Sequence, residues 1–396
     1  MKQLHILLRE FRKTVIDGKV VNTNIGTTAH GPGILSMFEK YLPECDIRIW
    51  ASAPLSPEMT KMMSRSFPHI SFVYGSLKEP SPELQEAVEW SDMLLIGSGS
   101  CILENDVEDY IKISGKPYAA AGIGYNEDQF PVMQKGAFMY FRESQALADA
   151  EKNELNVPTG FLPDGAFAFD TPDEATAADF MDLHGLEEGK FVCCLIRNRW
   201  TPVWEYCPEA KFDPKRDAYN KSMIEQDFAP LVSAVCRIVR EKHLKVLLAP
   251  ETLPALALSR DIFYNMFPAD VKDFLVVPGH YWEADEALGV YRKSLGIFGL
   301  EMHSQVIGIG NKIPSIVCRT KEFGSKSDMW KDIGLEEWLF DFDLETDRMR
   351  FPDMVMEMLS DPAGSRKKVE NANRIIDRAF LQFRDFMREY IVSRHS

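Results

Sequence analysis

The feature that most limits what this chain can fold into is a series of short, almost wholly apolar runs separated by stretches of helical period, and the series occurs twice. In the first half the runs are Leu4 to Leu8, Ile47 to Ala51, Ile70 to Tyr74, Met93 to Ile96 and Tyr118 to Ile123. An acidic, helix-forming connection around Glu174 to Lys190 follows. The series then restarts with Phe191 to Ile196, Leu244 to Leu248, Phe274 to Val277, Leu295 to Phe298 and Ile313 to Val317. A strand buried on both faces loses its polar–apolar alternation, so such runs predict parallel strands covered by helices. Among the intervening segments, Phe228, Leu231, Val232, Val235, Ile238 and Val239 form one apolar helical stripe.

Strand–helix alternation predicts βαβ units with right-handed crossovers. At 396 residues the chain exceeds what a single core normally serves, so two α/β domains are expected. The boundary is placed near residue 186, giving 1–185 and 186–396. A last helix, about Ser365 to Ser393, is expected to pack across both, with Val369, Ala372, Ile376, Ala379, Phe383, Met387 and Tyr390 at helical spacing. Residues Trp200 to Gln226 show no clear period and read as a long irregular excursion of the kind that tends to be functional.

The formal net charge of -15 argues against nucleic acid or an anionic membrane as partner, since both reward clustered Lys and Arg. Seven cysteines without zinc-finger spacing fit a reduced cytoplasm better than a disulfide framework. The amino-terminal apolar run is too short for a signal peptide and reads as a first strand. No apolar stretch reaches the roughly 18 residues of a membrane span, so contact with the inner membrane would be at most peripheral.

Three strand ends in the first half close in small residues: Asn24-Ile25-Gly26-Thr27-Thr28, Gly97-Ser98-Gly99-Ser100 and Gly122-Ile123-Gly124. Glycine there lets backbone N–H groups approach a ligand, although the same glycines also serve tight turns. Arg197 and Arg199 follow a strand and have the planar guanidinium suited to phosphate or carboxylate. Trp200, Trp204, Tyr206 and Trp282 offer flat faces for sugar rings, or ordinary core packing. Asp341-Phe342-Asp343 imitates a D-x-D metal motif, but its alternation with Trp338 and Phe340 suits a strand end whose acids face solvent, and no required metal or cofactor is expected.

Arg142, Glu143, Ser144, then Asp164, Ala166, Phe167 and Arg197, then Glu283 to Lys293, His303, Lys312-Ile313-Pro314, Lys326 and Ile333-Gly334-Leu335 follow one another in an order that resembles the polysaccharide pyruvyl transferases. The resemblance spans nearly the whole chain and rests on order and spacing. It implies two Rossmann-like domains with parallel sheets facing a cleft, a glycosyltransferase-B-like arrangement. It also implies transfer of a pyruvyl ketal from phosphoenolpyruvate to a sugar of a polysaccharide or its precursor, free or lipid-linked. Two positions depart from the pattern. Glu301 stands where the family has arginine two residues before the histidine, and Asn24-Ile25-Gly26-Thr27 lacks the usual acidic residue.

On this resemblance His303 and Glu301 are the expected acid–base pair, and Arg197, Arg199, Lys326 and His280 the donor-binding residues in the second domain. Asn24, Gly26, Thr27, Ser98, Gly99, Trp200 and Trp204 are the expected acceptor side. Two alternatives stay open. One is a nucleotide-sugar-dependent glycosyltransferase of the same fold, in which Glu301 binds ribose or sugar hydroxyls. The other is a non-catalytic relative that binds a saccharide.

Overall fold

The computed structural model describes residues 3–10, 15, 16, 19, 20, 22–207 and 209–394. Its contacts divide the chain into two compact units. Unit 1 comprises Met1–Lys13, Thr27–Phe169 and Arg374–Ser396. Its strands are β1 (Leu4–Arg9), β2 (Cys45–Ala51), β3 (Ser71–Tyr74), β4 (Met93–Ile96), β5 (Tyr118–Ile123), β6 (Met139–Phe141) and β7 (Thr159–Phe161). They form one seven-stranded sheet in the order β3-β2-β1-β4-β5-β6-β7, every pair parallel. Strands β4 and β5 are buried at every position, which is why they read as unbroken apolar runs. Strands β6 and β7 escape a periodicity reading because three residues carry no period.

Unit 2 comprises Thr14–Gly26 and Asp170–Asn373. Beside a short antiparallel pair, Val15–Ile16 with Lys19–Val20, it holds β8 (Phe191–Leu195), β9 (Lys245–Leu248), β10 (Leu275–Val276), β11 (Ile297–Gly299), β12 (Ser315–Arg319) and β13 (Leu339–Asp341). The order is β10-β9-β8-β11-β12-β13, again all parallel. Each sheet thus carries the 3-2-1-4-5-6 strand order of a Rossmann fold, with one further edge strand in unit 1.

Helix α1 (Ile25–Tyr41) enters unit 1 from Thr27 and buries Ile34, Leu35, Met37 and Phe38 there. In unit 2, helix α2 (Pro214–Arg237) occupies half of what the sequence reads as an irregular excursion. Its start has a readable signature. Asp213 accepts the N–H groups of Lys215 and Arg216, and Pro214 sits in the first turn. Helix α3 (His303–Gly310) follows β11.

The segment after Asp170, including the helix Glu174–His184, belongs by its contacts to unit 2. The Asp173 N–H donates to Asp285 O at 2.9 Å, and Ala177 abuts Gly289. The sequence reading instead draws its boundary after that helix. The last helix runs Pro362–Ser393. Up to Asn373, whose amide donates to Ile309 O at 2.7 Å, it counts with unit 2. From Arg374 it counts with unit 1, where Phe383 meets Tyr140 at 4.9 Å and Arg388 pairs with Glu44 at 2.6 Å.

All seven cysteines are free thiols, and burial pushes those of Cys193, Cys194 and Cys318 upward. Among the described residues no helix is long and apolar enough to cross a membrane.

Candidate functional site

In unit 2 the strands β9, β8 and β11 are neighbours, in register at Leu248 with Cys194 and at Gly299 with Leu195. Residues just past their carboxyl ends therefore come together, as ligand-binding residues do in open parallel sheets. Arg197 lies two residues beyond β8, Glu251 three beyond β9 and Glu301 two beyond β11. Gly299 makes the last approach feasible. Its φ is +136°, and a Cβ there would lie 2.0 Å from Leu195 O.

Glu251 is fully buried, and its carboxylate sits on the amino end of α3. Oε2 accepts the Ser304 N–H at 2.7 Å, and Oε1 accepts the His303 N–H at 3.2 Å and lies 3.3 Å from His303 Nδ1. Helix α3 has no capping side chain of its own, so this external carboxylate supplies the cap and meets the positive end of the helix dipole. The backbone around Glu251 is held from several sides. Tyr281 OH donates to Glu251 O, Trp282 Nε1 donates to Pro250 O, and the Ile25 N–H donates to Glu251 O. Gly26 packs against the imidazole: a Cβ at that position would fall 2.2 Å from His303 Cγ. Asn24 Oδ1 accepts the Gly26 N–H at 2.7 Å and keeps that segment in place.

Glu301 is buried too, with Arg197 as its partner at 3.2 Å. Arg197 also donates to Asn198 O and Thr201 Oγ1 and lies over the Phe323 ring at 4.8 Å, while Lys326 lies over the same ring at 4.6 Å. Burial pushes both carboxyl groups toward their neutral forms, but the outcomes differ. At Glu251 the hydrogen bonds and charge of His303 and the N–H of Ser304 outweigh burial, and the carboxyl stays well below its usual range. At Glu301 burial prevails over Arg197 and Lys326, the Glu251 charge adds to it, and the group rises.

The expected acid–base pairing of His303 with Glu301 is therefore replaced. His303 is paired with Glu251, and Glu301 with Arg197. The arginine that offsets Glu301 is Arg197 itself.

Arg199, expected to bind a donor, is enclosed instead. It forks onto Asp227 with two bonds of 2.8 Å, donates to Asp343 at 2.6 Å and lies 3.5 Å from Glu322, with the residue 4% exposed. Its charge is spent on three carboxylates. Asp343 is exposed, as the sequence reading has it, yet joins this network, and the half-buried Asp341 pairs with Arg319 at 3.1 Å. His280 is exposed and pairs with Glu286 at 3.2 Å, apart from the Glu251–Glu301 group. Trp200 stacks under Arg216 at 4.5 Å, and Trp204 meets Phe212 at 5.6 Å on the exposed excursion.

In unit 1, Thr27, Ser98 and Gly99 come together on a cavity of about 100 Å³ that Arg9, Glu10 and His30 also line. Ser98 Oγ donates to Gly122 O and accepts the Gly165 N–H at 2.9 Å. Beneath lies a buried ion network. Arg142 binds Asp164 at 3.0 Å and Glu143 at 3.2 Å, and His30 Nε2 lies 3.3 Å from Asp164. Two motif segments separate in sequence, Arg142-Glu143 and Asp164, thus form one electrostatic unit. Sequence reasoning missed His30 and Glu251. The signal for Glu251 was its place just past a strand's carboxyl end, which the reading applied only to glycine and arginine.

No family model matches the chain, and no curated protein matches it. Solved structures do. The chain is similar to MnaA from S. aureus, a co-structure with UDP, at 12% identity over 98% of this chain and 97% of that one, TM-score 0.59. It is similar to the UDP-GlcNAc 2-epimerase of Neisseria meningitidis bound to UDP-GlcNAc, at 9% identity over 96% and 100%, TM-score 0.52. It is also similar to the α,α-trehalose 6-phosphate synthase of Burkholderia multivorans, at 12% identity over 99% and 97%, TM-score 0.53. With the strand orders above, these likenesses establish the fold class: two Rossmann-like α/β units, glycosyltransferase-B-like.

Proposed function

We propose that the protein is an enzyme acting on a nucleotide sugar, a glycosyltransferase of this fold, with Glu301 receiving ribose or sugar hydroxyls and His303 moving a proton. The observation that carries this reading is the carboxyl pair at the strand ends of unit 2. Glu301 replaces the arginine of the pyruvyl transferase pattern and occupies Arg197, and Glu251 already fills the amino end of α3. The neutral Glu301 carboxyl can both donate to and accept from a ribose or sugar hydroxyl, and the ionised Glu251 beside it opposes a compact dianion at contact distance. The UDP and UDP-GlcNAc named for the S. aureus and N. meningitidis structures are consistent with such a donor. A saccharide acceptor would use the cavity of Thr27, Ser98 and Gly99 in unit 1.

Pyruvyl transfer from phosphoenolpyruvate is the second reading. One observation favours it: Arg197 and Lys326 stack on the same Phe323 ring and leave two cations beside a carboxyl that tends to neutrality.

Thermal unfolding with UDP-, GDP- and TDP-sugars and with phosphoenolpyruvate, each at equal concentration, separates the readings. A ligand at 100 times its Kd stabilises by about 2.7 kcal/mol, which a melting curve resolves. The expected result is a rise with one nucleotide sugar and release of its nucleotide on turnover. A rise with phosphoenolpyruvate alone, followed by phosphate release, would overturn the proposal. A rise with a saccharide alone and no turnover would indicate the binding relative.

A further inference from the structure

The geometry points to Glu251 as the positioning residue of the site: it fixes the His303 imidazole in the Nδ1–H form, so that Nε2 is the ring nitrogen that exchanges protons. The inference deepens the reading of His303 as the proton-moving group and rests on it.

The argument begins with donors and acceptors. Glu251 presents its two oxygens to three nitrogens, the backbone N–H of His303 and of Ser304 and the Nδ1 of His303, at 3.2, 2.7 and 3.3 Å. An ionised carboxylate only accepts, so the hydrogen of a neutral ring must sit on Nδ1. Two backbone donors at a helix start favour the ionised carboxylate, which secures that polarity. The ring is also fixed in space. The Gly26 backbone lies against it where no Cβ would fit, and the Asn24 side chain holds the Gly26 N–H. Glu251 itself is anchored, since Tyr281 OH and the Ile25 N–H both bond to its carbonyl. The two carboxyl groups therefore divide the work, Glu251 orienting the imidazole and Glu301 remaining with Arg197. Neither role follows from sequence distance, for Glu251 lies 52 residues before His303.

A plain cap would predict something else. Any acceptor of the right length would satisfy the N–H groups of α3, and the tautomer of His303 would then be indifferent. Full-length protein labelled with ¹⁵N-histidine distinguishes the two. His303 is assigned by the signals that vanish in His303→Gln, and its one-bond and long-range couplings identify the protonated nitrogen. The expected result in the unsubstituted protein is Nδ1–H with an unprotonated Nε2. In Glu251→Gln the ring should shift toward Nε2–H. Its kcat with the nucleotide sugar should fall by at least about 100-fold, the lower range for losing a placed acid–base group, while KM changes little. Glu251→Asp should recover part of kcat, because the charge returns at a longer distance. An Nε2–H ring in the unsubstituted protein overturns the assignment, even where Glu251→Gln fails to fold. A folded Glu251→Gln protein with unchanged kcat overturns it as well. A protein with an Nδ1–H ring that turns over no nucleotide sugar supports the assignment and removes only the functional reading.

Discussion

Glu251 and Glu301 carry the same side chain and lie side by side in unit 2, yet their surroundings drive them in opposite directions. Glu251 faces N–H donors and an imidazole. Glu301 faces Glu251 and one guanidinium, deep in the interior. A carboxyl raised from 4.5 to about 8 keeps its proton in the folded chain while the unfolded chain loses it. Its contribution to stability is therefore complete below pH 4.5 and fades as the pH climbs to about 8. Glu301→Gln cannot titrate, so its Tm should fall less steeply than that of the unsubstituted protein between about pH 5 and about pH 8. Parallel Tm curves would mean that Glu301 is ionised in the folded chain. For Glu251 the sign reverses: its share is present above pH 4.5 and is lost as the pH drops toward about 2. The two arginines differ in the same way. Arg199→Ala leaves Asp227, Asp343 and Glu322 without their shared cation and should cost about 3–5 kcal/mol in urea unfolding. Arg197→Ala, with one carboxylate partner, should unfold much closer to the native midpoint and show its effect in donor affinity. An Arg199→Ala protein as stable as its parent would refute the buried network.

The elements serve the site by where they end. Strands β8, β9 and β11 stop within one register of one another, so Arg197, Glu251 and Glu301 emerge as a group. The turn from β11 into α3 depends on Gly299, and the start of α1 depends on Gly26 for contact with His303. Gly26→Ala places a methyl carbon 2.2 Å from Cγ of the imidazole, and something must move. The side chain is the softer party, so the protein should fold with nearly its normal Tm while the His303 signals shift and turnover drops at least about tenfold, as displacements near 1 Å can do. Normal turnover in Gly26→Ala would show that the ring position is not critical. Much of this was legible beforehand. The β4 and β5 runs match their strands residue for residue, since burial on both faces leaves an unbroken apolar signal. Strands β6 and β7 were not read, for want of length, and of helix α2 only the second half, from Phe228 on, was read from its apolar stripe. Its first half was missed because it carries charges on most faces, although its cap at Asp213 was readable.

On the scale of the molecule, each unit repeats one strand order, and the last helix contributes to both. In unit 1 its residues build an aromatic cluster, Phe383, Phe386 and Tyr390 around Phe138 and Tyr140, while Tyr41 OH bonds to Asp377. Removing residues 375–396 strips that cluster of its cover. Replacing a buried aromatic by nothing typically costs about 3–5 kcal/mol, and several are lost together. Calorimetry should show the unit 1 transition shifted far down or absent, with a unit 2 transition retained. A truncated protein that melts like the full chain would mean that the cluster contributes little.

The apolar runs and their spacing were enough to predict two α/β units of parallel strands, because burying a parallel strand on both faces demands a pattern that is local and can be counted. Arg197 drew attention by its place after a strand, and His303 and Glu301 by the resemblance to the pyruvyl transferases in order and spacing. Pairing was another matter. That His303 answers to Glu251, that Arg197 is held by Glu301, and that Arg199 lies sealed among Asp227, Glu322 and Asp343 depend on contacts between residues 28 to 144 positions apart. Only the sheet order and register bring such residues within hydrogen-bond distance. Electrostatic roles follow from those distances and from burial, and neither is written in the identity of a residue or its neighbours along the chain.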